Sequence, residues 1–232
     1  MANTLLLKKL NCCSGQQKKL DARVPQNEIA GIYDSLSKIY DLWGNLTESR
    51  ARSRALELAE IKNDRKILEV AVGTGLAFYE IVKRNPDGAN IGIDLSAGML
   101  KKARKRLSQI SEANYELKQA SAFHLEGEDE QFDVLINNYM FDLIPFDQMD
   151  AVLAEFKRVL KKGGKLVLVN MTIGEKFGSG IYDFMYRVSP RLMGGCRGIR
   201  LSEKLKEHDL HVKLREYHQQ CLFPSEVILA QK

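Results

Sequence analysis

From residue 65 onward, short aliphatic runs alternate with longer stretches of helical periodicity, and that alternation leaves this chain few folds to choose from. Lys66-Ile67-Leu68-Glu69-Val70 is a compact apolar run that leads into glycines. A helix pattern follows over roughly 75–84, closed by Asn85-Pro86-Asp87-Gly88, a strong turn signal. Residues 90–94 read as a second strand, and Ser96 can cap a helix running to about Ile110. Residues 115–119 and 132–136 read as the third and fourth strands. Val152, Leu153, Phe156, Val159 and Leu160 then recur at helical spacing. Lys161-Lys162-Gly163-Gly164 should end that helix, with cations and glycines suited to its C-terminus. Residues 165–170 read as a fifth strand. Residues 211–216 and 226–230 read as the sixth and seventh, with Pro224 between them. Regular alternation of this kind means an α/β domain: a seven-stranded, mostly parallel sheet with helices on both faces. The close spacing of the last pair predicts an antiparallel C-terminal edge hairpin.

Composition removes several function classes. The chain has 232 residues, 44% hydrophobic and 28% charged, which are globular values. Its apolar runs fall far short of a bilayer span. Of the formal charge of +5, residues 1–23 carry five cations against Asp21 alone, so the body is close to neutral. A duplex-binding protein would place its basic excess on the folded domain, so no nucleic-acid partner is expected. The run from Lys101 to Arg106 reads as a solvated helix face. Leu5-Leu6-Leu7 is too short for a secretory signal, and Cys12, Cys13, Cys196 and Cys221 form no C-x-x-C pair. Reduced thiols, no metal site and a cytoplasmic location are therefore the expectation. The chain divides into a basic leader (1–24) and one domain (25–232). Within that domain the expectation is N-terminal helices (25–62), a core (63–170), a lid segment (171–200) and a C-terminal edge (201–232).

Ligands in open α/β sheets sit at the C-terminal ends of the strands. After strand one comes Glu69-Val70-Ala71-Val72-Gly73-Thr74-Gly75, where glycines allow a tight turn and close approach of a ligand. After strand two comes Asp94, 19 residues beyond Gly75, whose carboxylate can accept from the two hydroxyls of a ribose. A dinucleotide fingerprint would need Gly or Ala at position 78, and Phe78 stands there. Glu69 would also repel a diphosphate, but it suits a ligand carrying a cationic centre or an ammonium.

These residues resemble the class I S-adenosylmethionine-dependent methyltransferases, whose fold is Rossmann-like. Glu69 to Gly75 looks like their glycine-rich first motif. Asp94-Leu95-Ser96 followed by Met99-Leu100 looks like their ribose-binding segment. Phe132-Asp133-Val134 and Leu160 to Leu166 complete the match. The resemblance implies S-adenosyl-L-methionine as cofactor. By that resemblance Gly73, Thr74 and Gly75 lie under its methionine and ribose, Glu69 near its amino group and Asp94 on the ribose hydroxyls. Leu95 and Met99 then touch the adenine. Ser121 and Ala122 stand where many members carry an Asp for the adenine amino group, and Asn137 lies on the methionine side.

The stretch from Ile32 to Trp43, with its Tyr40-Asp41 step, resembles the ubiquinone/menaquinone C-methyltransferases, as does Ala71. Tyr40, Asp41, Gly44 and Arg50 are equally similar to the soluble phospholipid N-methyltransferases. The resemblance thus implies methyl transfer to a small, apolar or amphipathic acceptor, a quinone precursor or an aminophospholipid. Tyr40 would shape the cofactor pocket. Candidate bases are Tyr139, Asp142 and, less centrally, His124. The aromatic lid segment suits an apolar substrate, and Arg197 could meet an acidic group on it. The basic leader is a candidate peripheral membrane contact, through cations drawn to anionic lipid. Two other readings compete: a cofactor-binding protein without turnover, and a nicotinamide-dependent oxidoreductase, against which Phe78 and Glu69 argue.

Overall fold

The computed structural model describes residues 21–176, 178, 180–190 and 194–232, without the side chains of helical residues 26, 27, 30, 35–40 and 183. Two helices, α1 (Gln26–Thr47) and α2 (Ser49–Ala59), precede the sheet. Then follow β1 (Lys66–Val70), α3 (Leu76–Arg84), β2 (Ala89–Asp94), α4 (Ala97–Leu107), β3 (Tyr115–Gln119) and β4 (Phe132–Asn138). A 3-10 turn at Phe141–Leu143 leads to α5 (Met149–Val159) and β5 (Leu160–Met171). The chain ends with α6 (Gly180–Val188), α7 (Ser202–Glu207), β6 (His211–Gln220) and β7 (Phe223–Gln231). The strand order is β3-β2-β1-β4-β5-β7-β6, with β1 to β5 parallel and β7 antiparallel to both its neighbours. This is the seven-stranded, mostly parallel sheet expected from the alternation, with the Rossmann-like fold that the resemblance implies.

The period-2 pattern of the strands explains why both faces are covered. Ile67, Ile136, Val167 and Val169 point to one face, where they pack with Ala55, Phe78, Ile81 and Leu107 of the helices. Leu68, Val70, Leu135, Leu166 and Leu168 point to the other, against Val152, Leu153 and Phe156 of α5 and Leu205 of α7.

Several boundaries differ from expectation. The Lys-Lys-Gly-Gly segment does not close α5. The helix stops at Val159, and Leu160 already pairs with Phe132 as the first residue of β5. A register shift follows, and Gly163 (φ +74°) supplies the irregular backbone that lets the strand resume at Lys165. Pro224 lies inside β7 opposite Gln219, and the hairpin instead turns on Cys221 and Leu222, both at positive φ. Finally, β4 runs two residues further than its apolar run, to Asn138, because the ladder with β5 continues to Val169. That extension positions the site.

Candidate active site

The C-terminal ends of β1, β2 and β4 open into two adjoining cavities that share Ala71, Gly73, Asn138 and Tyr139. The larger, about 810 Å³ counting its mouth, runs past Asp94, Leu95, Met99 and Ala120–Phe123 and is roofed by Ile29 and Tyr33 of α1. The smaller, about 370 Å³, is polar and holds Glu48, Arg52, Glu69 and Thr74.

The backbone around this opening is bent in a consistent way. Ala71 (φ +61°), Gly73 (φ +54°) and Tyr139 (φ +53°) all adopt left-handed conformations just beyond β1 and β4. Non-glycine residues hold such conformations at a cost and cluster at ligand sites. A Cβ built on Gly73 would meet nothing within 4 Å, so the turn leaves its inner side open. Gly75 serves a different purpose. It caps the start of α3, and a Cβ there would stand 3.0 Å from that of Ala103, so it lets α3 and α4 pack and lines neither cavity.

Asp94 at the end of β2 accepts from the Gly73 N–H and the Ser96 N–H, each at 2.8 Å. Burial pushes its carboxyl above the usual aspartate range, with the backbone donors opposing. The carboxylate thereby ties the glycine turn to the start of α4 and keeps lone pairs toward the larger cavity. Ser96 caps α4 as expected, donated to by the Met99 N–H. Met99, Leu95, Ser121 and Ala122 line the same cavity, and Leu95 is 45% exposed there.

The smaller cavity concentrates buried charge. Glu69 is 1% exposed, Asn138 donates to its Oε1 at 3.0 Å, and its Oε2 has no partner. Burial pushes its carboxyl to about 8 despite Asn138 and the nearby Arg52. Glu48, at the joint between α1 and α2, is 6% exposed and also pushed to about 8 by burial, with Arg52 opposing and Asp142 adding to the rise. The Tyr139 ring lies between the cavities. Its hydroxyl bonds Ser225 at 2.8 Å, and burial, then the Glu48 charge, holds it protonated.

Some expected residues lie elsewhere. Asn137 turns inward, donating to the Val70 carbonyl at 2.8 Å, and it is Asn138 that faces the cavities. Asp142 is fully buried behind Tyr139 in neither lining, its carboxyl pushed to about 6 by burial, with Cys196 and Arg197 opposing. His124 is exposed at the rim of Ser121 and outside both linings. Arg197 is spent inside the chain: it donates to the carbonyls of Asp142 (2.8 Å) and Ile144 (2.6 Å), pairs with Asp21 and stacks on Phe146. The side chain of Tyr40 lies outside the described residues, as do Cys12, Cys13 and most of the leader. Of the large apolar and aromatic residues of segment 171–200, Tyr182 and Tyr186 face inward, Phe184 and Met185 outward, and Phe177 and Met193 lie outside the described residues. In the basic run of α4, Arg106 reaches back to Asp41 and the Thr74 carbonyl.

Glu48, Arg52 and Asn138 escape sequence reasoning. Asn138 follows an apolar run whose end is set by its partner strand. Arg50 and Arg52 carry the same sequence signal, and only the turn of α2 decides that Arg52 faces inward while Arg50 is exposed.

Residues 67–164 match the model of a methyltransferase domain family. The chain is 34% identical over 147 residues to a phosphatidylethanolamine N-methyltransferase of Cereibacter sphaeroides, covering 59% of this chain and 68% of that one. It is 31% identical over 162 residues to a demethylmenaquinone methyltransferase of Thermus thermophilus, covering 70% of each. A solved S-adenosylmethionine-dependent methyltransferase from Aquifex aeolicus shares the fold at a TM-score of 0.60 and 15% identity, over 90% of this chain and 98% of that one. With the motifs, the sheet and these relatives in agreement, the chain belongs to the class I methyltransferases and is an enzyme that uses S-adenosyl-L-methionine as its methyl donor.

Proposed function

We propose that the two cavities hold the two halves of S-adenosyl-L-methionine, and that the acceptor is an amphipathic amine. The donor set supports the first part. A methionine end carries an ammonium and a carboxylate. The smaller cavity offers the unpartnered Oε2 of Glu69 and Oδ1 of Asn138 to the one, and the Arg52 guanidinium to the other. In the larger cavity Asp94 would take the ribose hydroxyls, and Met99, Leu95, Ser121 and Ala122 the adenine. Gly73 would pass beneath without a side chain in the way.

The bound cofactor supplies an electrophilic methyl on a sulfonium, so the protein's task is alignment and exclusion of water. The observation that carries the amine reading is Glu48. Glu69 lies at the end of β1 in the smaller cavity, where Asn138 donates to it. Glu48 lines the same cavity from the joint between α1 and α2, where Arg52, Asp142 and Tyr139 are its charged or titratable neighbours. An ammonium entering there meets a buried carboxylate that prefers either a proton or a cation. Glu48 can bind the ammonium and then take its proton, leaving a neutral nitrogen with a free electron pair for attack. Tyr139, held protonated and bonded to Ser225, shapes the pocket rather than accepting a proton. A phenolic quinone precursor offers no cation to offset Glu48.

The test is a labelled-methyl assay on phosphatidylethanolamine and on a demethylated quinol, each in mixed micelles. N-methylated lipid is the expected product, with Glu48→Gln lowering kcat by about 10²-fold. Methyl label on the quinol ring alone would overturn the amine reading.

A further inference from the structure

The α6 helix is amphipathic in an unusual direction. Tyr182 and Tyr186 enter the core, whereas Ile181, Phe184, Met185 and Val188 (positions i, i+3, i+4 and i+7) form an apolar stripe facing out, with Phe184 66% and Val188 68% exposed. The stripe continues onto neighbouring elements. Leu222, at the tip of the β6–β7 hairpin, is exposed with a left-handed backbone, and Gly178 just before α6 lies against it. The Trp43 ring packs edge-on to Phe223 at 6.4 Å and Tyr182 does so at 5.1 Å, which brings the exposed α1 face of Leu42, Trp43 and Leu46 to the same corner. Single exposed apolar residues need no explanation, but a run of them across three elements marks an interaction surface.

We infer that this corner docks on the interface of an anionic lipid bilayer. Two observations favour lipid over another occupant. First, the rim is cationic. Arg50 beside the hairpin end, Lys176 before α6 and Arg187 within it are all exposed, and the neighbouring Glu175 is already engaged by Arg200 and Arg215. An outward apolar stripe edged by cations is the arrangement of a helix lying in a headgroup layer. Second, the corner leads to the active site: Phe223, which carries both Trp43 and Tyr182, also touches Tyr139 at 5.9 Å. A lipid-borne acceptor thus has one ring's thickness of protein between membrane surface and methyl-transfer pocket. That delivery role rests on the acceptor reading above, whereas docking itself does not.

The full-length protein, without methyl donor, is sedimented with vesicles of phosphatidylcholine alone and of phosphatidylcholine with phosphatidylglycerol. Binding to the anionic vesicles, weakened by salt, is expected. The double variant F184E/V188E should lose about tenfold or more in vesicle affinity, and R187E a smaller part. Both should keep wild-type affinity for S-adenosylhomocysteine by calorimetry, which shows them folded. Absence of wild-type vesicle binding would overturn the inference. So would F184E/V188E binding like wild type, which assigns attachment to the leader, or a wild-type dimer that the double variant dissociates, which assigns the face to a second copy. Failure of the phosphatidylethanolamine assay with vesicle binding intact would remove only the acceptor reading.

Discussion

At the scale of single residues, the two glycines of the first motif have separate purposes. Gly73 (φ +54°) borders both cavities with open space above it, and Gly75 (φ +81°) packs on Ala103. Gly73→Ala should strain the backbone by about 1 kcal/mol and place a methyl where we propose that the cofactor passes, so calorimetry should show lost S-adenosylhomocysteine affinity with a small change in Tm. Gly75→Ala adds a clash between two helices to the same backbone strain. It should cost about 2–4 kcal/mol of stability, read as a Tm fall of more than about 5 °C. Equal effects of the two substitutions on Tm would contradict this division. The motif was legible in the sequence, but the division was not, because it depends on Ala103, 28 positions away.

At the scale of elements, α1 covers the larger cavity and is fastened by two carboxylates seven residues apart, two helical turns on one face. Asp34 accepts from the Ser96 hydroxyl and from the Gly98 N–H at 3.0 Å, at the start of α4. Asp41 accepts from the Thr74 hydroxyl and from Arg106 at 2.6 Å, at the glycine turn. Both tethers are part-exposed, so each contributes less than about 1 kcal/mol to global stability. Their consequence is local, since they hold the cover on the loops that border the larger cavity. Asp41→Asn should speed S-adenosylhomocysteine release about three- to tenfold in stopped-flow dissociation, with Tm nearly unchanged. An unchanged release rate with a lowered Tm would make the tether merely structural. The repeated Tyr-Asp step at 33–34 and 40–41 is plain in the sequence. Its partners are not, because they come from the ends of two other elements.

At the scale of the whole molecule, buried acids link stability to pH. Burial pushes Glu48 and Glu69 to about 8 and Asp142 to about 6, all above their unfolded values. Between those unfolded values and 6–8 the folded chain binds more protons than the unfolded one. The stabilisation is therefore complete at low pH and is lost as pH rises through 6 to 8. The lowered surface carboxylates Glu216, Asp133 and Asp150 act oppositely, but only below about pH 5, where they begin to protonate. The ligand-free protein should thus lose at least about 1 kcal/mol, or about 2–4 °C in Tm, from pH 5.5 to 8.5 by calorimetry. S-adenosylhomocysteine should flatten that slope by giving Glu69 a cation. A Tm rising over this range would refute the account. The sequence by itself determined the sheet, its order of elements and the strand ends at which the cavities open, because period-2 and helical patterns, turn residues and motif spacing are local and survive in one dimension. Only the tertiary structure decided which of Arg50 and Arg52 or of Asn137 and Asn138 faces the cavities, that Glu48 enters the site, and that α6 shows an apolar face to solvent. Orientation about a helix or at a strand end depends on burial, and burial is set by neighbours far away in the chain.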